Sequence, residues 1–453
     1  MEAAVTEGEP VSCHDCGALH CWRPLADGQR ARCTRCGNVL YRWYATGPAP
    51  TPASMVAVTL GAVLVYLIAQ CFPIVELEMN GLTSGATLLQ AIGVLWNERM
   101  EVIAAMVFFF VVAFPALELG ALLYVSAGLL RGRRVPGFHL LLRVVQGARH
   151  WAMTEVLMIG ILVTAIKMTS MARVIPHPGL FAFGALTILG AVALRYEPRA
   201  LWALGERLGT RHGYTAPASV PAPASASAPA SAPRQPIDCH ACGLLNGGAC
   251  EGRHCRRCGA VLHRRIPNSI TWTWALLAAA ALLYVPANIL PVMYTESLGG
   301  TGGDTIMSGV ALFWNTGSPG LAIVIFVASV LVPVSKLLAL ALLAGTAQWG
   351  SRWAPAGRTR LYRVVEFIGR WSMLDIFVVT LTVALVRFQA LAVITAGPGA
   401  LAFGCVVILT MIASSRFDPR LIWDPLDSEV PRGRIGGETD GENNGESNGE
   451  LHA

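Results

Sequence analysis

Two parallel repeats of four transmembrane helices, each preceded by a small cysteine-rich ribbon, make an all-α polytopic membrane protein the fold this sequence predicts. Three observations carry that expectation. Apolar runs of near-spanning length recur along the 453 residues, and about 20 apolar residues suffice to cross a hydrocarbon core. A double Cys-x-x-Cys cluster occurs twice, once ahead of each apolar half. The two halves also align residue by residue. Composition agrees: 54% of residues are hydrophobic and 14% charged, against about 25% charged in a soluble domain.

The first half offers apolar helices near 55–72, 102–129, 152–172 and 178–195, and the second near 272–290, 319–343, 372–393 and 398–415. Trp96-Asn97 matches Trp314-Asn315, Pro115 matches Pro333, and Arg143-Val144-Val145 matches Arg363-Val364-Val365. Trp151-x-Met153-x-Glu155 matches Trp371-x-Met373-x-Asp375. These matches place a ribbon at 11–46, a four-helix unit at 52–212, a second ribbon at 237–266 and a second unit at 268–425. The Ala/Pro/Ser-rich stretch 213–236 reads as a disordered linker, and the acidic stretch 426–453 as a disordered tail.

Arginine placement sets orientation. The loop 131–149 holds five arginines and no acid, and 346–370 holds five against Glu366. The segment 291–317 has no Lys or Arg. The positive-inside rule therefore puts both ribbons, both termini and the Arg-rich loops in the cytosol. Arginines at helix ends form no single basic face, so nucleic acid is not an expected partner.

Cys13, Cys16, Cys33 and Cys36 form the first cluster; Cys239, Cys242, Cys255 and Cys258 form the second. Two Cys-x-x-Cys knuckles 12 to 16 residues apart suit a tetrahedral site with four sulfur ligands, hence one structural Zn2+ per ribbon. A rubredoxin-like iron site and a redox dithiol are the other readings. Gly17, Gly37, Gly243 and Gly259 follow the second cysteine of each knuckle and ease its turn.

The only two lysines, Lys167 and Lys336, fall in apolar spans. An intramembrane ammonium costs about 2.5–3.5 kcal/mol on insertion scales and needs a partner or a purpose. Lys336 follows Pro333 in Leu-Val-Pro-Val-Ser335-Lys, where proline frees a backbone carbonyl. Ser329 lies on the same helical face, Asp375 is the expected counter-charge, and Ser335 and Thr410 are expected to complete a polar lining. A structural ion pair is the competing account. In the first half Glu118 and Glu155 take the places of Lys336 and Asp375. They would either share a proton or leave one to pair with a loop arginine. Lys167 and Arg387 match each other and are expected to snorkel.

Duplicated ribbons, each leading into spans with a Pro-x-x-charged motif and a Trp-x-Met-x-acid motif, resemble the paraquat-inducible protein A family over roughly residues 11–425. The resemblance implies an inner-membrane partner of a periplasmic MCE-domain protein, moving phospholipid between membranes and maintaining the outer-membrane barrier. It also implies zinc in the ribbons, and polar residues inside the second unit at Ser329, Lys336, Asp375 and Thr410. No role passes to Glu118, where this chain's halves differ. No Walker A motif is present, so no built-in ATPase and no enzyme is expected. Other classes remain: a structural anchor that recruits the MCE assembly, a membrane redox protein using the cysteine pairs, and a metal transporter or sensor.

Overall fold

The computed structural model describes residues 10–23, 25, 29–42, 52–79, 82–98, 100–168, 173–193, 201–202, 205, 236–297, 300–315, 317, 319–385, 387–388, 392–427 and 451–452. The expected linker 213–235 and most of the tail lie outside these residues. Leu451–His452, from the stretch expected to be disordered, pairs in parallel with Arg30–Arg32.

Each half runs through helices in the same order. The first has α1 (Pro52–Cys71), α2 (Leu88–Asn97), α3 (Glu101–Leu130), α4 (Phe138–Trp151), α5 (Thr154–Met168) and α6 (Pro178–Ala193). The second has α7 (Ser269–Ile289), α8 (Ile306–Asn315), α9 (319–348), α10 (Pro355–Trp371), α11 (Leu374–Leu385) and α12 (Pro398–Arg416). Among the described residues, six stretches are long and apolar enough to cross a membrane: Pro52–Cys71, Glu101–Leu130, Phe138–Ile166, Ser269–Ile289, Ala322–Gln348 and Pro398–Arg416. The spans expected at 178–195 and 372–393 correspond to shorter helices, α6 with 16 residues and α11 with 12. In the second of these, strands at Arg387–Phe388 and Ala392–Ala396 stand where the span was expected to continue.

Those strands also qualify the all-α expectation. Val75–Met79 pairs with Leu82–Ala86 and with Arg173–Pro176, all antiparallel. Met293–Ser297 pairs likewise with Gly300–Asp304 and Ala392–Ala396. The period-two alternation of Val75-Glu-Leu-Glu-Met79 suits one covered and one open face. Helix α6 begins so close to α1 that a Cβ on Gly179 would lie 2.4 Å from Pro73 O; Gly399 stands equally close to Leu290 O, at 2.5 Å.

The Arg-rich loops turn out to be largely helical. In α4 the residues Phe138, Leu142, Val145 and Ala148 are buried, and in α10 the residues Arg358, Thr359, Tyr362, Val365 and Gly369. Spacings of three and four put each set on one stripe, with most of the arginines left outside it.

Both long central helices break at the same place. α3 has a π-helical turn at Phe108–Ala113 just before Pro115, and α9 one at Val327–Leu331 just before Pro333. Proline supplies no N–H, so the ladder upstream slackens. A tyrosine answers the loosened backbone in each half. Tyr66 Oη donates to Val112 O at 2.9 Å, and Tyr284 Oη to Val330 O at 3.4 Å.

The halves meet through α5 and α11 in one apolar core that includes Phe110, Leu157, Ile161, Phe377, Leu381 and Val407. The outer helices are treated differently. α2 buries Leu88, Ala91, Ile92 and Leu95 and packs on α11. α8 packs against its own α9 and leaves Met307, Leu312 and Trp314 exposed.

Candidate metal and intramembrane polar sites

The four sulfurs of each ribbon lie within 4.8 Å of one another, and all eight cysteines are buried. Cys13 Sγ and Cys36 Sγ are 3.5 Å apart, as are Cys16 Sγ and Cys33 Sγ. Cys239 and Cys258 stand at 3.4 Å, and Cys242 and Cys255 at 3.6 Å. A tetrahedral metal with metal–sulfur bonds of about 2.3 Å sets its sulfurs roughly 3.8 Å apart, so both clusters fit such an ion closely. The knuckle glycines have φ between 69 and 73°, and each donates its N–H to the carbonyl of the first knuckle cysteine at 2.8–2.9 Å.

Crowding splits the thiol acidities. Hydrogen bonds with Cys13 and Cys16 push Cys33 far below the ordinary thiol, and the bond with Cys13 pushes Cys16 far above it. Contacts with Cys239 lower Cys255 and raise Cys242 in the same manner. A divalent cation removes this competition by holding all four as thiolates. Equivalent side chains brace each cluster: His20 Nε2 lies 3.2 Å from Cys33 Sγ, and Asn246 Nδ2 donates to Cys255 Sγ at 3.8 Å. Both sit four residues past the second cysteine, a correspondence the sequence already contained.

The ribbons are crossed. The first packs on the second half, against Leu343, Tyr362, Phe417, Ile422 and Trp423. The second packs on the first half, against Leu129, Phe138, Leu142, Val145 and Trp202. Matched arginines fasten them. Arg363 donates to Asp15 Oδ2 at 2.6 Å and to Cys36 O at 3.1 Å, while Arg143 donates to Cys258 O. Burial alone would raise Asp15, but hydrogen bonds from His14 and Arg363 outweigh it and hold the carboxyl below its usual range. Arg420, 3% exposed, joins the ribbons to each other. Its guanidinium meets both oxygens of Asp238 at 2.6 Å and donates to His14 O at 2.9 Å.

Inside the second half Lys336 is 2% exposed. Its Nζ donates to Ser372 Oγ at 3.2 Å and to Thr410 Oγ1 at 3.0 Å. Ser329, 5% exposed, sits in the π-helical turn one face above. The side chain of Asp375 lies outside the described residues, as do those of Lys167 and Arg387; only the backbone of Asp375 is placed, in α11. Ser335 does not join the cluster. It is exposed and donates to Val332 O of its own helix at 2.8 Å, because a neighbour of a buried helical residue faces away by about 100°. Ser372 is the residue the sequence reading missed. Its signal was the pairing of copies, since the first half has Ala152 there.

In the first half Glu118 accepts from Arg149 Nε at 2.9 Å. Glu155 is exposed at the start of α5. Glu118 is thus paired with an arginine of α4, within the stretch the sequence suggests is a loop.

Six candidate spans among the described residues, a buried lysine cluster and two four-cysteine clusters that could hold a metal define a multi-pass membrane protein. The paraquat-inducible protein A family profile matches residues 53–205 and again 270–427, and the chain belongs to that family. It is 34% identical to the intermembrane transport protein PqiA of Escherichia coli strain K12 over 429 residues, covering 91% of this chain and 95% of that protein. It is 30% identical to the lipophilic envelope-spanning tunnel protein A of the same strain, covering 93% and 92%. A probable intermembrane transport protein of Haemophilus influenzae is 27% identical, covering 92% and 97%. No solved structure matches.

Proposed function

We propose that this chain is the inner-membrane component of an intermembrane lipid transport system. It loads or extracts phospholipid for a periplasmic MCE-domain tunnel and so maintains the outer-membrane barrier. The observation that carries the reading is Lys336, buried against two hydroxyls beside a π-helical break. Immediately beyond it the outer part of the second half leaves an apolar flank open: Ile323, Val324 and Leu331 of α9 are about half exposed. A polar group that can hold a headgroup phosphate, next to a flank that can take acyl chains, is what a phospholipid route requires. The names of the relatives agree, since two are intermembrane transport proteins and one an envelope-spanning tunnel protein.

In this reading the chain crosses the membrane eight times as two parallel units, with α6 and α11 completing the set. The domain limits are those expected from the sequence, and both ribbons and both termini face the cytosol. Each ribbon holds one structural Zn2+, which supplies rigidity and no redox step. Asp375 is the counter-charge of Lys336 within the same lining, and Ser329 extends it outward. A route that lacks an ATPase motif draws its energy from an ion gradient or a separate partner.

Replacing Lys336 with Ala is expected to leave the protein at normal level in the membrane while cells lose resistance to detergent. Purification from membranes should bring phospholipid, an MCE-domain protein and two zinc ions per chain. Normal detergent resistance in Lys336→Ala, with the partner still bound, would instead favour a structural anchor that recruits the tunnel without handling lipid.

A further inference from the structure

The buried stripe of α10 contains an arginine, Arg358, which is 2% exposed. A buried guanidinium ordinarily faces a carboxylate. Arg358 instead donates once, from Nη2 to Ser351 O at 2.6 Å. Its Nε and Nη1 have no hydrogen-bond partner among the described residues, so three N–H groups are left unmatched. Burial pushes the guanidinium below its ordinary value. The acids of the nearby 424–427 turn are engaged elsewhere, Asp424 by Arg265 and Asp427 by Arg35. Nor does the fold demand a cation here. The equivalent residue of the first half is Phe138, 3% exposed, whose ring meets Trp202 at 5.7 Å.

The setting of the guanidinium narrows the ligand. Ser351 belongs to the turn that links α9 to α10. In that turn Trp349 is 82% and Trp353 66% exposed. Exposed indoles at the end of a spanning helix mark the membrane–water interface. Ala354 closes the turn at φ 39°, a left-handed backbone that residues with a Cβ rarely hold, so the turn over the arginine is in a less favourable conformation. Unmatched N–H donors at the headgroup level, flanked by indoles, fit a phosphate oxygen better than any other group found at that depth.

We propose that Arg358 binds the phosphate of an anionic phospholipid in the leaflet that the α9–α10 turn contacts, with Trp349 and Trp353 packing beside its glycerol and upper acyl chains. The headgroup reaches the guanidinium when the 349–354 turn swings aside. This site is separate from the Lys336 cluster: 11 residues of α10 separate Arg358 from Gly369 beside Lys336, about 16 Å along the helix axis. It stands whether or not the chain transports lipid.

Native mass spectrometry of the full chain in detergent tests it. Wild type is expected to retain about one phosphate-bearing lipid per chain more than Arg358→Phe, as for a single added site, and Arg358→Lys is expected to retain part of that difference. Equal lipid counts in wild type and Arg358→Phe would overturn the proposal, as would release of inorganic phosphate in place of lipid. A second measurement needs no variant. Hydrogen exchange over 349–362 of wild type should slow several-fold in phosphatidylcholine nanodiscs doped with phosphatidylglycerol, and not when inorganic phosphate is added to undoped discs. Unchanged exchange in the doped discs would also overturn it.

Discussion

In the first half Glu118 meets Arg149; in the second Lys336 meets Ser372 and Thr410, and the arginine's place is taken by Gly369. The two sites occupy matching positions on matching helices beside the same π-helical break. One is a closed pair in which each charge cancels the other. The other holds a cation on two hydroxyls among the described side chains, and a Cβ at 369 would stand in ordinary contact with Nζ, at 3.8 Å. The difference teaches that a duplicated scaffold can close one charge site with an arginine and rebuild the matching site around hydroxyls. An ion pair spends its charge on its partner, whereas an ammonium resting on hydroxyls retains more of its charge for a carboxylate or a ligand.

The comparison breaks most sharply by exchange. Lys336→Glu with Gly369→Arg writes the first half's pair into the second. That double variant is expected to fold and accumulate yet to abolish barrier function, read as loss of growth on detergent plates. Retained growth would remove the distinction between the halves.

Next comes the closed pair itself. Arg149→Ala strands Glu118, whose side chain is 15% exposed, and should cost about 1–3 kcal/mol. The measure is a lower thermal midpoint in detergent, largely restored when Glu118→Leu is added. A midpoint unchanged by Arg149→Ala would show that the pair does not stabilise the first half.

The ribbon clamps sharpen the contrast. Arg363 reaches both Asp15 and Cys36, and Arg143 only Cys258 among the described residues. Arg363→Ala should therefore lose metal to a chelator faster than Arg143→Ala, by as much as about 10-fold, as followed with a colorimetric zinc dye. The smallest effect belongs to Ser335→Ala. Its hydroxyl serves only its own helix, so stability should move by less than about 0.5 kcal/mol with barrier function intact.

Much of this arrangement was legible in the residues. Cysteine spacing located both four-sulfur clusters, because cysteines on two facing knuckles converge on one point. Pro333 and Lys336 marked the polar cluster, because proline and charge are both costly inside a membrane. Three features escaped. Ser372 looked ordinary until its counterpart Ala152 was set against it, since a serine gains meaning only from what it faces. Ser335 was included for adjacency to Lys336, and helical geometry turns adjacent residues to different faces. The crossed ribbons were hidden because their contacts join residues hundreds of positions apart, and no local pattern encodes such a partner. The Arg143 and Arg363 match was the one trace, visible as repetition but silent about which ribbon each arginine holds.

That crossing has a temporal side. Roughly 380 residues separate Cys36 from Phe417, where the seat of the first ribbon starts to be completed. At about 5–20 residues per second, synthesis of that interval lasts roughly 20–75 s. The second ribbon, by contrast, emerges after Phe138 and Trp202 have already been made. The earliest-born ribbon must therefore remain undocked, with its apolar side uncovered, until nearly the last helix is threaded. Docking of the first ribbon is thus a late event of folding.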